Sequence, residues 1–371
     1  MVGHMIKKNI LVVFGTRPEA IKMAPLVKEL KTIFRVKLCI TAQHRELLDE
    51  VLEIFSIESD YDLDIMTPGQ NLTSLSANIL LKLDKVIKES NPDLILVHGD
   101  TTTSMIAALS AFYNKIKVGH VEAGLRSHNK NEPFPEEINR KFIGSLADFH
   151  FAPTETAKKN LLNEGVLSSS IFVTGNTVID SLLEISKRIE SNNDQIKRKN
   201  NAKKILLTAH RRENFDGGLD QIFDAVSKLA IKYPDFEFVY PIHPNPAIKQ
   251  VAQKYLNNIS NVKLIKPLDY LSFITLMLES YLILTDSGGI QEEAPSLGIP
   301  VLVLRNVTER TEAVEANCVK LIGLVSDNII KETSLLIDNK DYYNLMSRAE
   351  NPYGNGDSSI KITQIIKENL I

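Results

Sequence analysis

The sequence predicts an α/β protein of two domains, each built on a parallel sheet with crossover helices. Three observations carry this reading. At 371 residues the chain exceeds one ordinary domain, and 43% hydrophobic against 24% charged positions leaves enough apolar surface to fill two cores. Short apolar, largely β-branched runs alternate with longer amphipathic stretches, which is the rhythm of strand and crossover helix. A polar stretch over residues 191–204, rich in Asn and Lys, separates one series of such runs from a second.

The first series comprises residues 10–14, 36–40, 94–98, 117–121, 149–152 and 171–173. After Gly175-Asn176-Thr177 a helical segment leads into the 191–204 stretch, whose cations read as a wet surface rather than a binding patch. The second series comprises residues 205–208, 236–240, 262–265, 281–285, 300–304 and 319–322, so a second α/β domain begins near residue 180. No short-period repeat is evident, which argues against a solenoid. The four residues ahead of Met5 read as an appended remnant and take no part in this reasoning.

Composition narrows the partner. A formal net charge of −3 supplies no basic field for nucleic acid or an anionic membrane, which points to a small ligand. No apolar run approaches the roughly 20 residues of a membrane span, and no signal-peptide core opens the chain, so a cytoplasmic protein is expected. Cys39 and Cys318 stand far apart in apolar surroundings and outside any metal-binding spacing; both read as buried thiols in a reducing compartment.

Ligands of open parallel sheets sit beyond the carboxyl ends of strands, so two such domains facing each other would form one cleft. The residues just after the predicted strands are therefore the candidates. Gly15-Thr16-Arg17-Pro18-Glu19 follows the first strand: Gly permits a tight turn, Pro pre-sets a helix entry, and Arg17 and Lys22 become cations near a helix start, able to meet phosphate or simply to sit on the surface. It is not the Gly-x-Gly-x-x-Gly dinucleotide fingerprint. The third strand ends in His98-Gly99-Asp100-Thr101-Thr102-Thr103, where Asp100 is a helix cap or a catalytic acid, and composition alone favours the cap.

Gly119-His120-Val121-Glu122-Ala123-Gly124-Leu125-Arg126 closes the fourth strand, and Pro133-Phe134-Pro135-Glu136-Glu137 delivers two more acids into a helix. Each could be a first-turn helix charge, but three carboxylates at sheet-end positions of one domain make a better site candidate than any one alone.

In the second domain His210, beside Arg211 and Arg212 at a strand end, is a plausible phosphate donor; His243, in a Pro-rich loop, carries less weight. Most informative is Thr285-Asp286-Ser287-Gly288-Gly289-Ile290-Gln291-Glu292-Glu293-Ala294. Strand, Ser-Gly-Gly and helix place bare amides at a positive helix end suited to a pyrophosphate, and Glu293 lies one turn deeper, able to accept from ribose hydroxyls.

Taken together, Gly15 to Lys22, His98 to Thr103, Gly119 to Arg126, Asp286 to Pro295 and Thr308-Glu309-Arg310-Thr311-Glu312 resemble the non-hydrolysing UDP-N-acetylglucosamine (UDP-GlcNAc) 2-epimerases, from about Lys8 to the end of the chain. The resemblance implies two Rossmann-like domains facing across a cleft in the glycosyltransferase-B architecture. An N-terminal domain over 5–178 would be completed by a C-terminal helix within 357–371, and a UDP-binding domain would span 179–356. It also implies that Asp100, Glu122 and Glu136 are the catalytic acids. Arg17, Lys22 and His210 would lie near the diphosphate or sugar, and Ser287, Gly288 and Gly289 would hold the phosphates. Glu293 would bind ribose, Phe273 would lie near uracil and Arg310 would complete the site. Neither cofactor nor metal is implied; the partners are UDP-GlcNAc and UDP-ManNAc, and the assembly is a homodimer. Where family members often carry Gln near uracil this chain has Leu268, and where some members bind an activating second nucleotide sugar it has Glu46 and Gly69, although Gln43 and His44 remain. A UDP-sugar glycosyltransferase, a hydrolysing epimerase and a non-catalytic nucleotide-sugar sensor are the competing readings.

Overall fold

The computed structural model describes residues 7–41, 45–66, 69–192, 203–211, 214, 215 and 217–371, with the side chains of 45, 46 and 192 left out of the description. The chain divides into two compact units, Met1–Ser181 with Tyr353–Ile371, and Leu182–Pro352.

The first unit holds seven parallel strands: β1 (Asn9–Phe14), β2 (Arg35–Ile40), β3 (Tyr61–Asp62), β4 (Leu94–His98), β5 (Lys117–Val121), β6 (Phe149–Ala152) and β7 (Ile171–Val173), in the spatial order β3-β2-β1-β4-β5-β6-β7. The predicted runs are all present, most within a residue of their expected ends. The addition is β3, a two-residue edge strand paired with Cys39 and Ile40 and too short to leave a periodic signature. Central strands are buried on both faces, so Leu11, Val13, Ile95, Val97 and Val118 pack with Ile79, Leu83, Ile106 and Ile143 from the helices as one core.

The second unit has six parallel strands: β8 (Lys204–Thr208), β9 (Glu237–Pro241), β10 (Val262–Ile265), β11 (Ser280–Thr285), β12 (Val301–Val303) and β13 (Val319–Leu321), ordered β10-β9-β8-β11-β12-β13. Its core joins Leu207, Phe238, Tyr240, Leu284 and Leu302 to Phe223, Val226, Ile248 and Ile329. Of the stretch expected to be an irregular connection from 191, residues 191 and 192 are the end of the Thr177–Asn192 helix, and residues 193–202 lie outside the described residues.

The last helix, Ser358–Leu370, belongs to the first unit and packs on the Arg17–Lys31 helix. Asp180 fixes its start by accepting from the backbone amides of Ser359 at 2.7 Å and Ser358 at 3.3 Å. In each sheet the strand order reverses at one point, between β1 and β4 and between β8 and β11. Loops beyond the carboxyl ends of strands at such a switch point diverge and leave a crevice. Among the described residues no helix is long and apolar enough to cross a membrane.

Candidate active site

In the first unit the polar residues collect after β1, β4 and β5. Gly15 ends β1, and a Cβ there would lie 2.0 Å from Thr41 Oγ1 and 2.7 Å from Thr103 Oγ1. Glycine is thus required by the close approach of two threonines, not by the turn dihedral that its place in the sequence suggests. Arg17 opens the following helix with Pro18 in its first turn, half-buried and with no ion-pair partner among the described residues. Lys22, one turn on, is turned to a carboxylate instead: its Nζ donates to Glu122 Oε1.

Glu122 adopts a left-handed backbone at φ 63°, a conformation costly for a residue with a side chain and a frequent mark of functional positions. Asn176 Nδ2 donates to the same Oε1 at 2.9 Å, while Oε2 faces His98 Nε2 at 3.7 Å. Burial alone would push this carboxyl up, but Lys22 outweighs it, with help from His98 and Asn176, and holds the group well below the usual carboxylate range. His98 is driven the other way: burial pushes its imidazole down to about 4, so it is neutral near pH 7.

Asp100 is not the helix cap. Thr101 takes that role by accepting from Ser104 N at 3.0 Å, which leaves the Asp100 carboxylate to Arg140. Arg140 Nε and Nη2 both donate to Asp100 Oδ2, at 3.0 and 2.6 Å, and Asn139 Nδ2 donates to the Asp100 carbonyl at 2.8 Å. Glu136 and Glu137 open the Glu136–Leu146 helix and differ completely in environment. Glu137 is fully buried and accepts from Ser127 N, His128 N and Arg140 Nη1. Glu136 has a buried Oε2 without a hydrogen-bond partner among the described residues. Arg126, at the mouth of β5, is committed to Glu164 through two bonds of 2.9 and 2.7 Å.

In the second unit Asp286 organises the loops after β8 and β11. It is fully buried, and its Oδ2 accepts from His210 N at 2.7 Å, Arg211 N at 2.8 Å and Asn214 Nδ2 at 3.0 Å. Its Oδ1 lies 3.3 Å from His210 Nδ1, which orients the ring, and the His243 ring stacks on it at 5.8 Å between centroids. Burial lowers the His210 pKa although Asp286 opposes it. Ser287 precedes the short Gly288–Glu293 helix at its N-cap position without a side-chain capping bond. A Cβ on Gly288 would lie 3.0 Å from Arg310 Cζ, so any side chain there would push that guanidinium away from the helix start. Glu292 Oε1 and Glu309 Oε1 accept from Arg310 at 2.9 and 2.7 Å and hold it there. Glu293 lies one turn from Gly289, with Oε1 3.6 Å from where a Gly289 Cβ would be. Phe273 stands on a separate helix, Tyr270–Leu278, capped by Asp269, and among the described residues no ring contact ties it to this cluster.

The structure therefore brings Lys22 to Glu122, and Arg310 to Gly288. It also reveals partners that single positions in the sequence did not suggest: His98 and Asn176 around Glu122, Arg140 on Asp100, and Glu292 under Arg310. Arg212, Glu213, Gln43 and His44 lie outside the described residues, as does the side chain of Glu46.

Two doubly wound α/β units with charged loops gathered at their switch points define a two-domain α/β enzyme of nucleotide-binding type. The family described as UDP-N-acetylglucosamine 2-epimerase matches residues 28–367. A UDP-N-acetylglucosamine 2-epimerase of Campylobacter jejuni is 51% identical over 98% of this chain and 98% of its own, and one of Escherichia coli K12 is 50% identical over 98% and 99%. A crystal structure of UDP-GlcNAc 2-epimerase from Neisseria meningitidis bound to UDP-GlcNAc superposes with a TM-score of 0.88 at 50% identity, covering 97% of this chain and 100% of that one. The chain belongs to the UDP-N-acetylglucosamine 2-epimerase family.

Proposed function

We propose that the protein interconverts UDP-GlcNAc and UDP-ManNAc without releasing free sugar. The observation that carries this reading is the set of three carboxylates in one unit, Asp100 after β4, Glu122 after β5 and Glu136 at the start of the Glu136–Leu146 helix, in three different environments, in a chain of this family. Carbon 2 of the sugar has no adjacent carbonyl to acidify its proton, so direct deprotonation is too slow. Elimination avoids this: a carboxylate takes the carbon 2 proton, its bonding pair becomes the C1=C2 double bond of 2-acetamidoglucal, and the C1–O pair leaves with UDP. Return of the UDP oxygen to carbon 1, with protonation of carbon 2 from the opposite face, gives the epimer.

Such a reaction needs acid/base groups for both faces of carbon 2. The loosely partnered Glu136 suits one that exchanges a proton, and the ionised Glu122 suits a base or an electrostatic stabiliser. The departing diphosphate needs cations and amides. Arg17, His210, Arg310 and the Ser287-Gly288-Gly289 turn are the residues we assign to it, with Lys22 near the sugar, Glu293 on ribose and Phe273 near uracil. The same reading makes the enzyme a cytoplasmic homodimer that supplies ManNAc nucleotides for surface polysaccharide. Buried free thiols at Cys39 and Cys318 support a reducing compartment. Exposed Phe112, Tyr113 and Phe142 on neighbouring helices support a covered face.

The test is proton NMR of the protein with UDP-GlcNAc in heavy water, without added metal or NAD. UDP-ManNAc carrying deuterium at carbon 2 is the expected product. Free ManNAc with UDP would establish hydrolysis instead, and no change would end the assignment. Asp100→Asn, Glu122→Gln and Glu136→Gln should each slow turnover by orders of magnitude with UDP affinity largely kept; near-normal turnover removes that residue from the catalytic set.

A further inference from the structure

We infer that Glu19 is a positioning residue that ties the loop carrying Arg17 to the loop carrying Asp100, and that it does so through the geometry of its hydrogen bonds rather than through its charge. Glu19 is 2% exposed. Its Oε2 accepts from Gly15 N at 3.1 Å, Thr16 N at 2.8 Å and Thr16 Oγ1 at 2.8 Å. Its Oε1 accepts from Thr101 Oγ1 at 2.7 Å and Ser104 Oγ at 2.9 Å. One oxygen thus serves the loop after β1 and the other the start of the helix after β4, across the switch point of the sheet.

A helix-capping role explains only half of this. Glu19 is the third residue of its helix, and the reach back to Thr16 N is the ordinary capping-box contact. Capping gives no reason for Oε1 to bind Thr101 and Ser104, more than 80 positions away in sequence. Arg17 follows the first loop directly and Asp100 precedes Thr101, so the spacing of those two side chains depends on this one carboxyl.

The hydrogen inventory argues that charge is dispensable. No cation among the described residues contacts Glu19, and burial raises its pKa against the pull of its hydrogen bonds. The Ser104 hydroxyl has a single hydrogen and two acceptors in reach, Glu19 Oε1 and the His98 carbonyl at 2.7 Å. The Thr101 hydroxyl likewise has Glu19 Oε1 and Ser104 Oγ at 3.2 Å. A glutamine would fit the same frame: its carbonyl takes the place of Oε2 before two backbone amides, and its NH2 donates to both hydroxyls. Thr101 then donates to Ser104 and Ser104 to His98. Aspartate keeps the charge but is one methylene too short to span both loops.

The experiment compares Glu19→Gln with Glu19→Asp, measuring kcat and KM for UDP-GlcNAc epimerisation, thermal melting, and amide hydrogen exchange at Gly15 and Thr16. The kinetic half rests on the epimerase reading above; the exchange half does not. Expected results are E19Q folded, with kcat within threefold of wild type and slow exchange at both amides. E19D should also be folded, with kcat down at least tenfold, KM changed less, and faster exchange. The reverse order, E19D active and E19Q impaired, overturns the inference because charge would then be the operative property. So does wild-type kcat in both, or tenfold loss in both while folded. A wild-type protein that does not epimerise UDP-GlcNAc sinks the functional reading alone, and the exchange pattern still decides whether Glu19 ties the loops.

Discussion

Lys22→Met tests how the Glu122 carboxylate is kept ionised inside the first unit. The Glu122 side chain is 8% exposed and that of Lys22 18%. Removing one partner of a buried ion pair leaves the other charge uncompensated, at about 3–5 kcal/mol. Here Asn176 still donates to the same oxygen at 2.9 Å and Lys22 is not fully dry, so a loss of about 2–4 kcal/mol is expected. For a unit of this size that corresponds to a fall in melting temperature of roughly 5–15 °C near pH 8. The pH dependence separates this cause from lost packing. In the wild type the folded pKa of Glu122 lies below its unfolded value, so the group stabilises the fold above the ordinary carboxylate pKa, and this is lost as pH falls through the lower folded value. Without Lys22 burial dominates and the folded pKa rises above the unfolded one. Glu122 then destabilises at neutral pH, and protonation relieves it on acidification. The melting difference between wild type and variant should therefore shrink between pH 8 and pH 5, and Lys22→Met combined with Glu122→Gln should melt higher than Lys22→Met alone. A difference that is the same at both pH values, or a double variant no better than the single, would refute the account.

Three further outcomes follow from contacts already described. Arg140→Met removes both donors to Asp100 Oδ2, and steady-state kinetics should show kcat down about 10- to 100-fold with a smaller change in KM, the pattern of a lost positioning contact. Gly288→Ala puts a methyl 3.0 Å from Arg310 Cζ; displacing the guanidinium should weaken UDP binding about tenfold by calorimetry, with a stability cost of about 1–3 kcal/mol from overpacking. Burial pushes the thiols of Cys39 and Cys318 up to about 12 and about 11, so Ellman's reagent at pH 8 should find no reactive thiol in the native protein and both after denaturation.

The fold was legible because parallel strands buried on both faces write themselves as apolar runs, as at 94–98 and 149–152 for β4 and β6, and the runs at 117–121, 171–173 and 262–265 also coincide with β5 and with the partly exposed edge strands β7 and β10. The two-residue β3 escaped for the opposite reason: it has no period. Site residues were legible where chain geometry alone places them, as with Ser287 and Gly288 at a strand-to-helix turn. Their partners were not, because each comes from a distant part of the sequence. Nothing local to Asn176 points to Glu122, 54 residues earlier, nor does Arg140 point to Asp100 across 40 residues. Asp100 itself was ambiguous because an acid before Thr101-Thr102-Thr103 has the composition of a cap; only the competition won by Thr101 decides it. Gly15 was read for its dihedral freedom when the constraint is the approach of Thr41 and Thr103, contacts made through the fold.

Buried carboxylates in this protein divide by how their oxygens are filled. Glu137 accepts from two backbone amides and an arginine, and Glu19 from five donors on two loops. Moving a proton on or off groups so heavily bonded would disturb several hydrogen bonds at once. Asp286 is intermediate, with three donors on Oδ2 while its Oδ1, 3.3 Å from His210 Nδ1, makes no hydrogen bond among the described residues. Glu136 and Glu122 are different: the Oε2 of Glu136 has no partner among the described residues, and that of Glu122 faces a neutral imidazole at 3.7 Å, beyond hydrogen-bond reach. Leaving polar atoms buried and underused is costly in a structure at rest, and that cost has a use if a ligand completes the pairing. This difference supports the proposal that Glu122 and Glu136, rather than Glu19 or Glu137, handle a proton.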